Sequence, residues 1–147
     1  MRGRTVTFRF LLDTNIISEI NKKIPNKLVV DKMNQYQGEV ATASVVIHEL
    51  LFGCLRLPPE SGRRRFLEDY IEEIPAKMPV FDYDLNAAKW HAQERARLSK
   101  IGKTPAFIDG QIASIAFCND LILVTNNMAD FQDFEDLIIE NWFITVD

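Results

Sequence analysis

Four acids sit where a chain concerned only with solubility would not put them. Asp13 ends the apolar run Phe8–Leu12 in the stretch LLDTN, and Asp130 follows the apolar run LILVT in the turn NNMADF. Glu49, in SVVIHELLFGC, has Val45, Val46, Phe52 and Gly53 at its i±3 and i±4 positions. Asp109, in AFIDGQIASIAFC, is followed at helical spacing by Ile112, Ala113 and Ala116. Residues at that spacing share a helix face, so two acids project from apolar stripes and two close apolar strands. Each also has a purely structural reading. Asp13 suits a helix N-cap, and Glu49 suits pairing with an arginine such as Arg56 or Arg95. Asp109 is favoured by the helix dipole, and Asp130 suits an Asx-turn. The joint pattern adds a chemical reading. Two carboxylates about 5 Å apart repel by roughly 3 kcal/mol at an effective dielectric of about 20, so a cluster takes up protons or a cation. With oxygen donors and no Cys or His cluster, the fitting cation is Mg²⁺ or Mn²⁺. Mg²⁺ keeps several waters and favours sites shared with phosphate, which points to phosphodiester chemistry.

The surrounding sequence supplies elements that can bring the four together. Strands are expected at Phe8–Leu12, Val40–Ala43, Val80–Asp82, Leu121–Thr125 and, more weakly, Ile138–Phe143. Helices are expected at Thr14–Ile20, Asn26–Tyr36, Ser44–Leu57, Ser61–Ile74 (ended by Pro75), Asp84–Ile101 and Ala106–Cys118. Prolines and glycines punctuate most of these boundaries. Strands alternating with helices imply an α/β fold, a central parallel sheet with helices on both faces. In such sheets ligands lie beyond the carboxyl ends of the strands, where Asp13 and Asp130 fall.

At 147 residues the chain reads as one domain with a core over about residues 8–143. A hydrophobic fraction of 47% excludes disorder as the default. The formal net charge of −4 argues against a protein that coats nucleic acid by charge alone. It leaves room for an enzyme that acts on nucleic acid through metal ions and a local basic patch. Cys54 and Cys118 lack metal-ligand spacing and read as buried thiols in a reducing compartment. No signal peptide is visible and the N-terminal apolar run is too short to cross a membrane, so a cytoplasmic protein without membrane contact is expected.

With these residues in hand, the chain resembles the PIN-domain nucleases, in particular the VapC toxins and FitB-type proteins, from about Phe10 to Trp142. LLDTNIISEI resembles the family's opening strand and helix, SVVIHELLFG its second block, TPAFIDGQIASIA its third, and LVTNNMADF followed by ENW its last. The four blocks in order carry the resemblance; DTN alone does not. The position after Thr125, often Arg in the family, is Asn126 here, one positive charge fewer beside the site. The resemblance implies a PIN-like fold and a metal-dependent endoribonuclease acting on structured RNA, with transfer RNA the favoured substrate class. It also implies a homodimeric toxin held by a cognate VapB-like antitoxin. Asp13, Glu49, Asp109 and Asp130 are then the catalytic residues and ligands of Mg²⁺ or Mn²⁺. Thr14, Thr125 and Asn127 are their supporting residues.

Other features carry less. His48 adjoins Glu49, but HELLF lacks the second histidine of a zinc helix; His91 lies in a charge-rich helix and is expected to meet solvent. Arg63, Arg64 and Arg65, together with Lys100 and Lys103 before Asp109, are candidate RNA phosphate contacts, although a solvated face is the default reading of the arginines. A phospho-receiver domain would want an adjacent acid pair early and a lysine after the last strand. LLDTN and LVTNN offer neither. A DxD phosphatase fails at Asn15, and a non-catalytic PIN-fold binding partner would be signalled by loss of an acid.

Overall fold

The structure is a computed structural model that describes residues 7–145. Its centre is a five-stranded, all-parallel sheet in the order β3-β2-β1-β4-β5. The strands are β1 (Phe10–Leu12), β2 (Val40–Ala43), β3 (Val80–Phe81), β4 (Ile122–Val124) and β5 (Ile139–Glu140). Every residue of β1 and β2 is buried, as expected for strands covered on both faces. The helices are α1 (Thr14–Ile20), α2 (Lys27–Gln35), α3 (Ser44–Leu55), α4 (Gly62–Lys77), α5 (Leu85–Lys100) and α6 (Phe107–Cys118). The α/β architecture expected from the alternating pattern is the one observed.

Register places the chemistry. Leu12 pairs with Val124 across β1 and β4, and the Asp13 amide donates to the Val124 carbonyl at 3.0 Å. Asp13 and Thr125 therefore leave the sheet side by side. This is the point where strand order reverses, with β2 on one side of β1 and β4 on the other, and where open α/β sheets bind ligands. The buried Thr42 keeps β2 in line by donating its hydroxyl to the Leu12 carbonyl at 2.9 Å.

Most helices start on the residues their sequence offers. Asn26, Ser61 and Asp84 accept from backbone amides in the first turns of α2, α4 and α5. The core joins Leu11, Leu12, Ile16, Ile112, Ile115 and Leu123, each at most 1% exposed; full burial of such a side chain is worth about 1.5–3 kcal/mol. Phe10, Tyr36 and Trp142 close one end as an aromatic trio, with ring centroids 4.6 to 5.9 Å apart.

Two local expectations are corrected. α4 does not stop at Pro75 but runs on to Lys77, with the proline ring on its exposed side. Burial of Ile71 and Ile74 holds the final turn to the core. That outweighs the single backbone bond a proline forfeits there. The strands are also shorter than their apolar runs, because β1 starts at Phe10 rather than Phe8 and β3 is only two residues long.

Candidate active site

Asp13 does two jobs at once. Its Oδ1 accepts from the Thr14 amide at 2.7 Å, so the carboxylate does cap α1. Its Oδ2 accepts from the buried Thr125 hydroxyl at 2.8 Å and from the Asn15 amide group at 3.3 Å. The cap therefore uses one oxygen, and the other faces the end of β4. Burial raises the Asp13 pKa, partly offset by the Thr125 and Thr14 hydrogen bonds.

Glu49 is carried by α3, which packs against α1. Its Oε1 accepts from the Thr14 hydroxyl at 3.0 Å, so Thr14 links the two acids from one residue. Among the described residues Glu49 forms no ion pair. The arginines weighed as its partners lie over aromatic rings instead, Arg56 over Phe52 and Arg95 over Phe107. The face around Glu49 is less buried than its composition suggests. Val46 is fully buried, but Phe52 is 48% exposed and Gly53 is exposed, because this side of α3 borders an open cleft.

Asp109 lies in the first turn of α6 and is half-buried. Its pKa is pushed up to about 6, first by burial and then by the negative charges of Asp130, Asp13 and Glu49. The other three acids therefore each lie within electrostatic range of Asp109. Asp130 ends a short 3-10 turn, Met128–Asp130, and is exposed. It shares a shallow cleft with Asp109 and Lys103.

Of the expected supporting residues, Thr14 and Thr125 bond directly to the acids. Asn127 contributes its backbone amide, which donates to the Thr125 hydroxyl at 3.0 Å, while its side chain is exposed. Asn15 was missed by the sequence reading, which considered it only as a lost second acid. Its side chain donates to Asp13 and to the Thr125 hydroxyl at 3.3 Å, and accepts from the Asn126 amide at 3.0 Å. It stitches the ends of β1 and β4 together. The signal was the DTN triplet itself, read for its acid alone. Asn126, in place of the family's frequent arginine, accepts from the Asn141 side chain at 3.2 Å.

His91 corrects an expectation outright. It is 4% exposed, its Nδ1 lies 2.8 Å from the Tyr83 hydroxyl, and burial lowers its pKa. It faces α6 because α5 and α6 form a close helix pair, and charge elsewhere on a helix does not report which face packs.

The basic candidates separate. Arg64 is engaged within the chain, with Nε donating to Glu68 at 2.7 Å and Nη1 to the Leu57 carbonyl at 3.2 Å. Arg65 and Lys100 are exposed away from any described ion pair. Lys103 is bonded to Asp133 at 2.8 Å. Arg63 lines a cleft that also contains Glu49.

The four acids offer only oxygen donors. Among the described residues none of them has a cationic partner, and no three of them stand close enough together to hold an ion as they are placed. Mutual repulsion with no compensating cation is the condition that a divalent ion relieves, and an ion that retains its own waters can span donors set apart. The donor set fits Mg²⁺ or Mn²⁺ and lacks the thiolate or imidazole cluster that zinc favours.

Comparison with known proteins agrees with this geometry. A family model described as PIN domain matches residues 10–137. The chain is 33% identical over 134 residues to a tRNA(fMet)-specific endonuclease VapC of Shigella flexneri, covering 91% of this chain and 98% of that protein. It is 30% identical over 134 residues to Ribonuclease VapC2 of Haemophilus influenzae, with the same coverage. The solved structure of DNA-bound VapBC from Salmonella typhimurium superposes with a TM-score of 0.79 at 28% identity, over 92% of this chain and 99% of that one. The chain belongs to the PIN-domain family and, within it, to the VapC ribonucleases.

Proposed function

We propose that this protein is a Mg²⁺- or Mn²⁺-dependent endoribonuclease that cuts structured RNA, with transfer RNA as substrate class. The observation that carries the reading is the joining of Asp13 and Glu49 through Thr14 at the carboxyl end of β1, with Asp109 near enough to feel the charges of Asp130, Asp13 and Glu49. Transfer RNA is supported by the Shigella relative, a tRNA(fMet)-specific endonuclease.

Asp13 and Asp109 would hold the ion directly, with Glu49 and Asp130 completing its surroundings. When bound, the ion supplies a Lewis acid that stabilises charge on the phosphate oxygens and eases deprotonation of the attacking water. The protein does the positioning. Thr125 and Asn15 fix one Asp13 oxygen toward the end of β4, and the Thr14 amide fixes the other. Glu49, oriented by the Thr14 hydroxyl, is placed to take a proton from the water. In-line attack on the phosphodiester leaves a 5′-phosphate and a 3′-hydroxyl.

The protein is further read as the toxin half of a toxin–antitoxin pair, with a VapB-like antitoxin as partner and a homodimer as its own assembly. The Salmonella VapBC likeness supports the pairing. Phe52 and Leu55 on α3 and Phe66 on α4, each about half exposed, support a face covered by another chain.

The test is cleavage of pooled transfer RNA by antitoxin-free protein with Mg²⁺, Mn²⁺ or EDTA, beside Asp13→Asn. Discrete 5′-phosphorylated fragments that vanish in EDTA and in the variant are expected. Cutting that survives both sinks the metal mechanism.

A further inference from the structure

Between α1, α3 and α4 lies a cleft of about 290 Å³ whose lining includes Thr14 and Glu49. It is therefore continuous with the acid cluster, and its size falls just below the roughly 300–1,000 Å³ range of small-ligand sites. Leu50 and Leu67 give it apolar walls, Ser18 and Asn21 give it hydrogen-bonding groups, and Arg63 stands in its lining. Arg63 has no ion-pair partner among the described residues; its neighbour Arg64 holds Glu68 instead.

Gly53 is the informative residue. It lies inside α3 and lines the cleft. Glycine in a helix is destabilising relative to alanine, yet nothing in the fold calls for it. A Cβ built there meets no atom of the surrounding chain within 4 Å, and the backbone is not left-handed. Gly53 is exposed, and its missing side chain leaves the cleft open to solvent at this point.

We propose that this cleft is a nucleotide subsite, which takes the base of a nucleotide adjoining the scissile phosphate and the phosphate of that nucleotide on Arg63. A base has apolar faces and a polar edge, matching Leu50 and Leu67 on one hand and Ser18 and Asn21 on the other. The cation suits a phosphate better than an apolar protein segment. The proposal rests on the ribonuclease reading for its substrate class.

The experiment titrates the full-length protein, with Mg²⁺ present, with each nucleoside 5′-monophosphate and with ribose 5-phosphate, following backbone amide resonances. At least one nucleotide should shift Gly53, Ser18 and Arg63, with ribose 5-phosphate binding at least about tenfold more weakly. Gly53→Leu should abolish the binding and Gly53→Ala weaken it, both with melting temperatures at or above wild type because the added atoms enter open space. Arg63→Gln should weaken every nucleotide by about tenfold with base preference kept. Equal binding of ribose 5-phosphate, or unaltered binding by Gly53→Leu, overturns the proposal. So does the absence of any shift at millimolar nucleotide, which would leave the cleft to a protein segment. Cleavage separates the two readings. If wild type cuts RNA and Gly53→Leu cuts it with unchanged KM, the subsite fails and the nuclease stands. If nucleotides bind as described and no RNA is cut, the cleft still takes a nucleotide, while the nuclease reading fails and with it the placement beside a scissile phosphate.

Discussion

His91 fills the space that a side chain at position 110 would need. A Cβ on Gly110 would lie 2.6 Å from the His91 Cδ2 and closer still to Nε2, so α5 and α6 approach only because residue 110 is glycine. Gly110 adjoins Asp109, and the same contact that packs the helices fixes where that carboxylate stands.

This fit predicts a coupled pair. Gly110→Ala should destabilise the protein by about 1–3 kcal/mol through overpacking, although alanine is the better helix former. Adding His91→Ala should restore part of that loss, giving a coupling of at least about 0.5 kcal/mol in a double-mutant cycle. Urea denaturation of the four proteins checks this; additive effects would mean the ring and residue 110 do not meet.

Asp109 makes the metal-free protein sensitive to pH. Its folded pKa, about 6, lies above the ordinary value of 3.8, so between those values the folded state binds more protons than the unfolded one. Stability from this group is therefore fully present at low pH and is lost as pH rises through about 6. Asp109→Asn should be more stable than wild type above pH 6 without metal, by on the order of 1 kcal/mol after solvent screening of a half-exposed group. Chemical denaturation from pH 5 to 8 in EDTA measures it.

Divalent metal should reverse that penalty. At pH 7.5, Mn²⁺ at about 100 times its Kd should stabilise wild type by about 2.7 kcal/mol. The effect should fade below about pH 6, where the Asp109 proton competes with the ion. A melting curve that ignores Mn²⁺ at every pH would remove the metal from this site, whether or not RNA is cut.

Thr125 should act through Asp13. Its hydroxyl bond to Asp13 lowers the pKa of that acid, so Thr125→Val should raise it and move the rising limb of the cleavage pH profile upward. Activity should fall about 10–100-fold, as for other residues that orient metal ligands. Thr125→Ser, which keeps the hydroxyl, should restore both the rate and the profile. A stability loss with an unshifted profile would assign Thr125 to packing alone.

The order of the elements and the unusual placement of the four acids were legible along the chain. Short apolar runs alternating with amphipathic segments admit few arrangements other than a parallel sheet between helices, and an acid that ends a buried strand must emerge at the sheet's edge. Asp13 was legible for that reason, and Asp109 because its helix is apolar around it. What the sequence left open were relationships between side chains far apart in the chain. Asn15 bonds to Thr125, 110 residues away, and no local pattern encodes that register. His91 looked wet because charges surround it, yet helix packing set its face and Gly110 made the room. The three adjacent arginines looked alike, and only the fold distinguished Arg64, held by Glu68, from Arg63 beside the cleft. Local periodicity and capping act over a few residues and can be read along the chain. Burial, pairing and shared charge are decided by which elements meet, and only the tertiary structure supplies that.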